Sequence, residues 1–76
     1  MKNKIYKQEA TRISEEIIKL SNRDKINNKS FNQIYNELLK DKDTEFKNIV
    51  LVYIPSELSR MGYVIQSIDP FEIKKY

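Results

Sequence analysis

The sequence has no cysteine and no histidine, and it contains one glycine, two prolines and no tryptophan. Without cysteine the chain can form neither a disulfide framework nor a thiolate metal site. Without histidine it lacks the most frequent general base and the most frequent metal ligand. One glycine is too few for a glycine-rich phosphate loop. These absences predict a protein that is not an enzyme, with no catalytic residue, no cofactor and no metal.

Long apolar segments are missing as well. No run of about 18 apolar residues is present, so no transmembrane helix is predicted. The N-terminal lysines are not followed by the apolar core of a secretory signal. We therefore expect a cytoplasmic protein without a membrane partner. A length of 76 residues predicts a single domain over residues 1–76, with a thin core.

A first helix is predicted over residues 6–20. Its apolar residues are spaced four, three, four and three apart, which places them on one stripe of an α-helix. The stripe consists of Tyr6, Ala10, Ile13, Ile17 and Leu20. We expect it to face the domain's own core. The same spacing also suits a two-heptad seam with a second copy, so a homodimer is an alternative.

A second helix is predicted to begin at Ser30, after a polar loop over residues 21–29. Ser30 and Gln33 have the spacing of a capping box, in which each side chain bonds to the other residue's backbone N–H. Apolar residues then recur at helical spacing to about residue 39. The charged residues 40–45 predict the next loop.

Six consecutive apolar residues occupy positions 49–54, and most of them are β-branched or aromatic. This length and composition favour a strand that is buried on both faces. The alternative is a helix over residues 44–54 that is capped by Thr44. Pro55 is predicted to open a short helix to residue 61, and Gly62 suits a left-handed helix end.

Two more strands are predicted at 63–68 and 71–76, on either side of a turn at Asp69 and Pro70. The predicted order is α-α-β-α-β-β. The fold class is α+β, with two layers and a small, mostly antiparallel sheet packed on the two N-terminal helices. The residues predicted to be buried include Ile13, Ile17, Ile34, Leu38, Leu51 and Leu58.

Positive charge is concentrated in the first third of the chain. The whole sequence has 14 basic and 11 acidic residues, whereas residues 1–29 have eight basic and four acidic ones. We predict that this segment binds a partner. The candidate residues are Lys2, Lys4, Tyr6, Lys7, Arg12, Lys19, Arg23 and Lys25.

The N-terminal lysines of this set are the stronger candidates. Lys2, Lys4 and Lys7 precede or open the first helix, where a cation opposes the helix dipole. Lys19, Arg23 and Lys25 lie near its other end, where a positive charge is favourable and has a structural explanation. We therefore expect function to depend more on the first trio.

Two segments of the C-terminal half carry a resemblance to a known group of proteins. Ile54-Pro55-Ser56-Glu57-Leu58 and Gly62-Tyr63-Val64-Ile65, within residues 47–68, resemble small phage proteins of low-G+C bacterial hosts. The resemblance includes no functional motif. It implies a small binding protein that inhibits or modulates a host replication, transcription or defence protein.

Nucleic acid is the alternative partner. The basic residues of segment 1–29 offer phosphate contacts, and Tyr6 offers a ring for base stacking. Only three of the 14 cations are arginine, the residue type that dominates contacts to base edges. A host protein is therefore the first expectation.

Overall fold

The structure, a computed structural model, describes the backbone of residues 2–23 and 29–76, and the side chains of residues 4–23 and 29–76. Within these residues the chain forms three helices and a hairpin of two antiparallel strands. The elements are α1 (Lys2–Asn22), α2 (Phe31–Leu38), α3 (Thr44–Arg60), β1 (Tyr63–Ile68) and β2 (Phe71–Lys75). The hairpin packs on α3 and α1, which confirms the predicted α+β class.

Helix α1 is longer than predicted at both ends, and its apolar stripe is inside the domain. Ala10, Ile13 and Ile17 have no exposed surface, because α1 packs along α3. The two helices run in the same direction, since Tyr6 lies against Phe46 and residue 11 bonds to residue 57. The stripe is therefore unavailable to a second copy, and a dimer seam through these residues is wrong.

The predicted strand at 49–54 is wrong, and the helical alternative is confirmed. These residues form the middle of α3, which extends for 17 residues. Val50, Ile54 and Leu58 recur every four residues and are completely buried, so they form the inner face of the helix. Packing of this face against α1 and the hairpin overrides the strand preference of the β-branched residues.

The ends of α3 differ in detail from the prediction. Asp43, not Thr44, caps the helix, and its carboxylate accepts a hydrogen bond from the Phe46 N–H at 2.8 Å. Pro55 lies within the helix rather than at the start of a separate one. Gly62 follows the helix end with φ +92°, which confirms the predicted left-handed conformation.

The predicted core is partly correct. Ile13, Ile17, Ile34 and Leu58 are buried, whereas Leu38 and Leu51 are half-buried. The neighbouring residues Leu39 and Val50 are completely buried in their place. Each error is a displacement by one residue along the chain. On a helix this corresponds to a rotation of about 100° away from the core.

Helix α2 begins as predicted. The Ser30 hydroxyl accepts a hydrogen bond from the Gln33 N–H at 3.2 Å, and the Gln33 side chain accepts one from the Ser30 N–H at 2.9 Å. Phe31 is buried directly after this cap, and its ring stacks on Phe71 with 4.9 Å between centroids. The capping box therefore begins α2 at Phe31, the residue whose ring packs on the first residue of β2.

The hairpin confirms both predicted strands and the turn between them. Tyr63 pairs with Lys75, Val64 with Lys74 and Ile65 with Ile73, and a β-bulge follows Ile65. Residues of β1 alternate between half-buried and exposed. One face of the hairpin therefore packs on the helices and the other faces solvent.

Candidate partner-binding surfaces

A polar cluster lies along the contact between α1 and α3. The Glu57 Oε1 atom accepts hydrogen bonds from the Thr11 hydroxyl and from the Arg60 Nη2 group, each at 2.6 Å. The Lys7 ammonium lies 5.9 Å from the centre of the Tyr53 ring. The hydrogen bond from Arg60, and secondarily that from Thr11, lowers the pKa of Glu57 below its ordinary value.

This cluster joins the two helices. A carboxylate whose pKa is lowered by its donors is a weak general base. Its oxygen is also already occupied by two donors. The arrangement therefore suits an interhelical contact between Thr11 and Glu57.

Half of the predicted partner-binding set forms one exposed surface. Helical spacing and exposure place six residues on the side of α1 that faces away from α3. We call this surface the outer α1 face, and it consists of Lys4, Gln8, Arg12, Glu15, Lys19 and Arg23. It carries four cations and one acid.

Of the other four predicted residues, two turn toward α3 and two have side chains outside the described part of the chain. The Tyr6 ring packs against Phe46 with 5.2 Å between centroids, so it is not free for base stacking. Lys7 is turned toward Tyr53 of α3. Lys2 begins helix α1, and its side chain is outside the described part of the chain, as is the whole of Lys25.

Two cations of the outer α1 face have acidic neighbours on the same helix. Arg12 donates two hydrogen bonds to Glu9, at 2.7 and 2.9 Å. These bonds lower the pKa of Glu9 and raise that of Arg12. Lys19 lies 3.8 Å from Glu16, a longer and more exposed contact. Lys4 and Arg23 are in none of the ion pairs found among the described residues. The face therefore remains cationic at both ends.

A second exposed surface was not predicted from the sequence. Five residues of α3 are spaced four, three, four and three apart on the side opposite its buried face. We call them the α3 stripe: Glu45, Ile49, Val52, Ser56 and Ser59. Val52, in the middle, is 72% exposed.

Tyr76 extends the α3 stripe toward the hairpin. Its hydroxyl lies 3.2 Å from the Ser59 hydroxyl, and its N–H bonds to the Gly62 carbonyl at 2.9 Å. The side chain is nevertheless 76% exposed. Residues 48–56 contain no charge, although a third of the sequence is charged. This uncharged run is the feature of the sequence that indicates an apolar surface on α3, but its composition favours a buried strand.

The described residues contain no group of three or more acidic side chains that is arranged to hold a metal ion. In the same part of the chain, none of the helices combines the length and the apolar character needed to cross a bilayer.

Comparisons with models of protein families, with curated proteins and with solved structures found no match for this chain.

Proposed function

We propose that the chain is a small non-enzymatic binding protein that recognises an acidic surface of a partner protein through the outer α1 face. The observation that supports this proposal is the excess of cations on one exposed side of α1 and directly after its end. Four cations lie there with one acid, and the two acids at the edge, Glu9 and Glu16, pair with two of the cations, which leaves Lys4 and Arg23 outside these pairs. Such a face attracts an acidic partner over several ångströms and raises the rate of association. It requires no chemistry beyond charge and shape.

The nature of the partner rests on the resemblance of residues 47–68. A phage-encoded protein of this kind would inhibit or modulate a host replication, transcription or defence protein. The surfaces of such proteins that bind nucleic acid are positively charged, so a cationic inhibitor would bind elsewhere on them. We therefore propose that the protein contacts an acidic regulatory or assembly surface rather than imitating DNA.

Nucleic acid remains the second candidate, because the same four cations could contact phosphates. Two considerations make it weaker. The Tyr6 ring is packed against Phe46 and is not free for base stacking, and only three of the 14 cations are arginine. With about four phosphate contacts the affinity for duplex DNA would fall with a log–log salt slope of about −3.6.

Charge reversal on the outer α1 face tests the proposal. The test variant combines Lys4→Glu, Lys19→Glu and Arg23→Glu. The matched control combines Lys40→Glu, Lys74→Glu and Lys75→Glu, three exposed cations elsewhere on the molecule. Both variants change the net charge by the same amount, so a difference between them reports the position of the charge.

The measurement is affinity capture from a nuclease-treated bacterial lysate, followed by the binding rate of the captured protein at 50 and 300 mM salt. We expect the outer-face variant to lose binding at least tenfold, mainly through the association rate, and the control to change it by less than threefold. Equal losses in both variants would contradict the proposal. Binding of random duplex DNA with the slope above would favour the second candidate.

A further inference from the structure

The α3 stripe has the geometry of a helix–helix seam. Its residues repeat with the mean spacing of 3.5 that keeps a seam directed at a neighbouring helix along its length. Val52 projects from the middle, with the half-buried Ile49 one turn before it and the small Ser56 one turn after it. Small side chains allow two helix axes to approach closely. A helix is therefore the element that fits this face.

The charges at the two ends of the stripe identify the occupant. Glu45 lies seven residues before Val52, and Arg60 lies eight residues after it. Both are exposed, and residues 48–56 between them carry no charge. If two copies of α3 cross antiparallel at Val52, Glu45 of each copy comes opposite Arg60 of the other. Within its own copy Arg60 donates to Glu57 through Nη2, but its side chain is 63% exposed and its remaining N–H groups are donors for a second carboxylate. A parallel crossing would instead bring like charges together.

We propose that the α3 stripe binds a second copy of this chain, as an antiparallel and two-fold symmetric pair of α3 helices. A two-fold axis makes one surface serve both partners, so each charge pair occurs twice. The helix dipoles agree with this arrangement. Within the domain α1 and α3 are parallel, whereas an antiparallel second α3 places opposite dipole ends next to each other.

Tyr76 supplies an aromatic contact at the edge of the seam. It is held by the hydroxyl of Ser59 and the carbonyl of Gly62, so little side-chain freedom is lost when a partner covers it. Val64 lies on the same exposed face of the hairpin, diagonal to Tyr76 across the strand pair, and is also exposed. These two residues enlarge the apolar area beyond the helix.

The size of the seam sets the expected affinity. A helix of 17 residues is about 25 Å long, and two such helices bury less than the roughly 1,200 Å² of a stable interface. The dimer is therefore weak, with a dissociation constant in the micromolar range or above. Its population depends on concentration, and it leaves the outer α1 face of each copy free.

Sedimentation equilibrium of the full chain between 1 µM and 1 mM is the first test. The wild type should change from 9.1 kDa toward twice that mass. Val52→Glu should weaken the dimer at least tenfold, because it places two like charges near the axis. Ile5→Glu is the matched control, since Ile5 is 56% exposed on α1 and lies outside the stripe. It should change the constant less than twofold.

Charge reversal then tests the orientation. Glu45→Lys should weaken the antiparallel dimer about three- to tenfold, and adding Arg60→Glu should restore it. Glu57→Gln accompanies Arg60→Glu in that variant, because Arg60 is bonded to Glu57 within its own chain and a new carboxylate there would repel it. In a parallel dimer Glu45→Lys would replace one like pair by another and change little. Thermal unfolding at a concentration where sedimentation gives the monomer mass checks that each variant folds.

Three results would overturn the proposal. A wild type that stays at 9.1 kDa up to 1 mM excludes the dimer. Equal weakening by Val52→Glu and Ile5→Glu places the contact elsewhere. A Glu45→Lys variant that dimerises like the wild type excludes the antiparallel orientation. If the chain is monomeric and Val52→Glu abolishes capture of a lysate protein, the stripe is a site for another protein.

Discussion

Helices α1 and α3 each carry a stripe of residues spaced four, three, four and three apart, but the α1 stripe is apolar and the α3 stripe has only two apolar residues. The stripe of α1 is central to the core, and its outer face is charged. Helix α3 has a separate buried face at Val50, Ile54 and Leu58, and its stripe is turned outward with Val52 exposed. A surface helix of a small domain buries one apolar face and turns its polar side to solvent. Val52 departs from this pattern on α3, because it is apolar and 72% exposed.

The largest expected loss of stability distinguishes the buried face of α3 from its exposed face. Ile54→Ala removes a completely buried side chain and should destabilise the protein by about 2–5 kcal/mol. Val52→Ala, two residues away, should cost less than about 0.5 kcal/mol because the side chain is mostly exposed. Urea unfolding at low micromolar concentration measures both. Similar losses in the two variants would mean that Val52 packs inside the monomer.

The next largest loss of stability is expected at the glycine that follows α3. Gly62 has φ +92° there, whereas no glycine follows α1. Gly62→Ala should cost about 1–2 kcal/mol from backbone strain alone, since a new Cβ meets no atom within 4 Å. Gly62→Val should cost more, and Gly62→Asn less. Equal unfolding midpoints for the three variants would show that the positive φ is not maintained.

A stabilising substitution lies on the inner face of α1. Ser14 is completely buried, and its hydroxyl has no hydrogen-bond partner among the described residues. Ser14→Ala should therefore stabilise the protein by about 1 kcal/mol, through removal of an unpaired polar group and a better helix propensity. Ser56→Ala is the control, since this exposed serine of α3 gains only the propensity. A smaller gain at position 14 than at position 56 contradicts the prediction.

The smallest effect tests the polar contact between α1 and α3. Because the pKa of Glu57 is lowered in the folded protein, its ionised carboxylate stabilises the fold. This contribution to the free energy of unfolding is complete above the ordinary carboxyl pKa and is lost as the pH falls through the lowered pKa. Glu57→Gln should therefore make the fall in stability between pH 6 and pH 3 shallower. Glu72→Gln, at an exposed position of β2, is the control. Thermal unfolding at several pH values measures the slopes, and identical slopes for the wild type and Glu57→Gln would contradict the assignment.

The sequence predicted those elements that local chemistry decides. The cap at Ser30 depends on residues three positions apart, and Gly62, the one glycine of the sequence, has the positive φ that glycine adopts without steric cost. The strands at 63–68 and 71–76 have the alternation of a half-buried hairpin. In each case the residues that fix the conformation are close together in the chain.

The prediction failed at 49–54, where a distant contact decides the conformation. A short apolar run suits a buried strand and a helix equally well, and the difference depends on what covers each face. Ile54 and Val50 are covered by other elements, which periodicity within the run does not reveal. Two members of the predicted binding set, Tyr6 and Lys7, turn toward α3 residues some forty positions later, a contact that the local pattern does not show.

The contact between Phe71 and Phe31 forms late in synthesis, because the two residues are far apart in the sequence. Forty residues separate the two rings, and ribosomes add about 5–20 residues per second. Phe31 is thus made about 2–8 s before Phe71, and the α1 stripe is made earlier still, whereas a helix forms in about a microsecond. During these seconds α1 exposes its apolar side. The cations on its other side then keep the growing chain dispersed, before any partner is present.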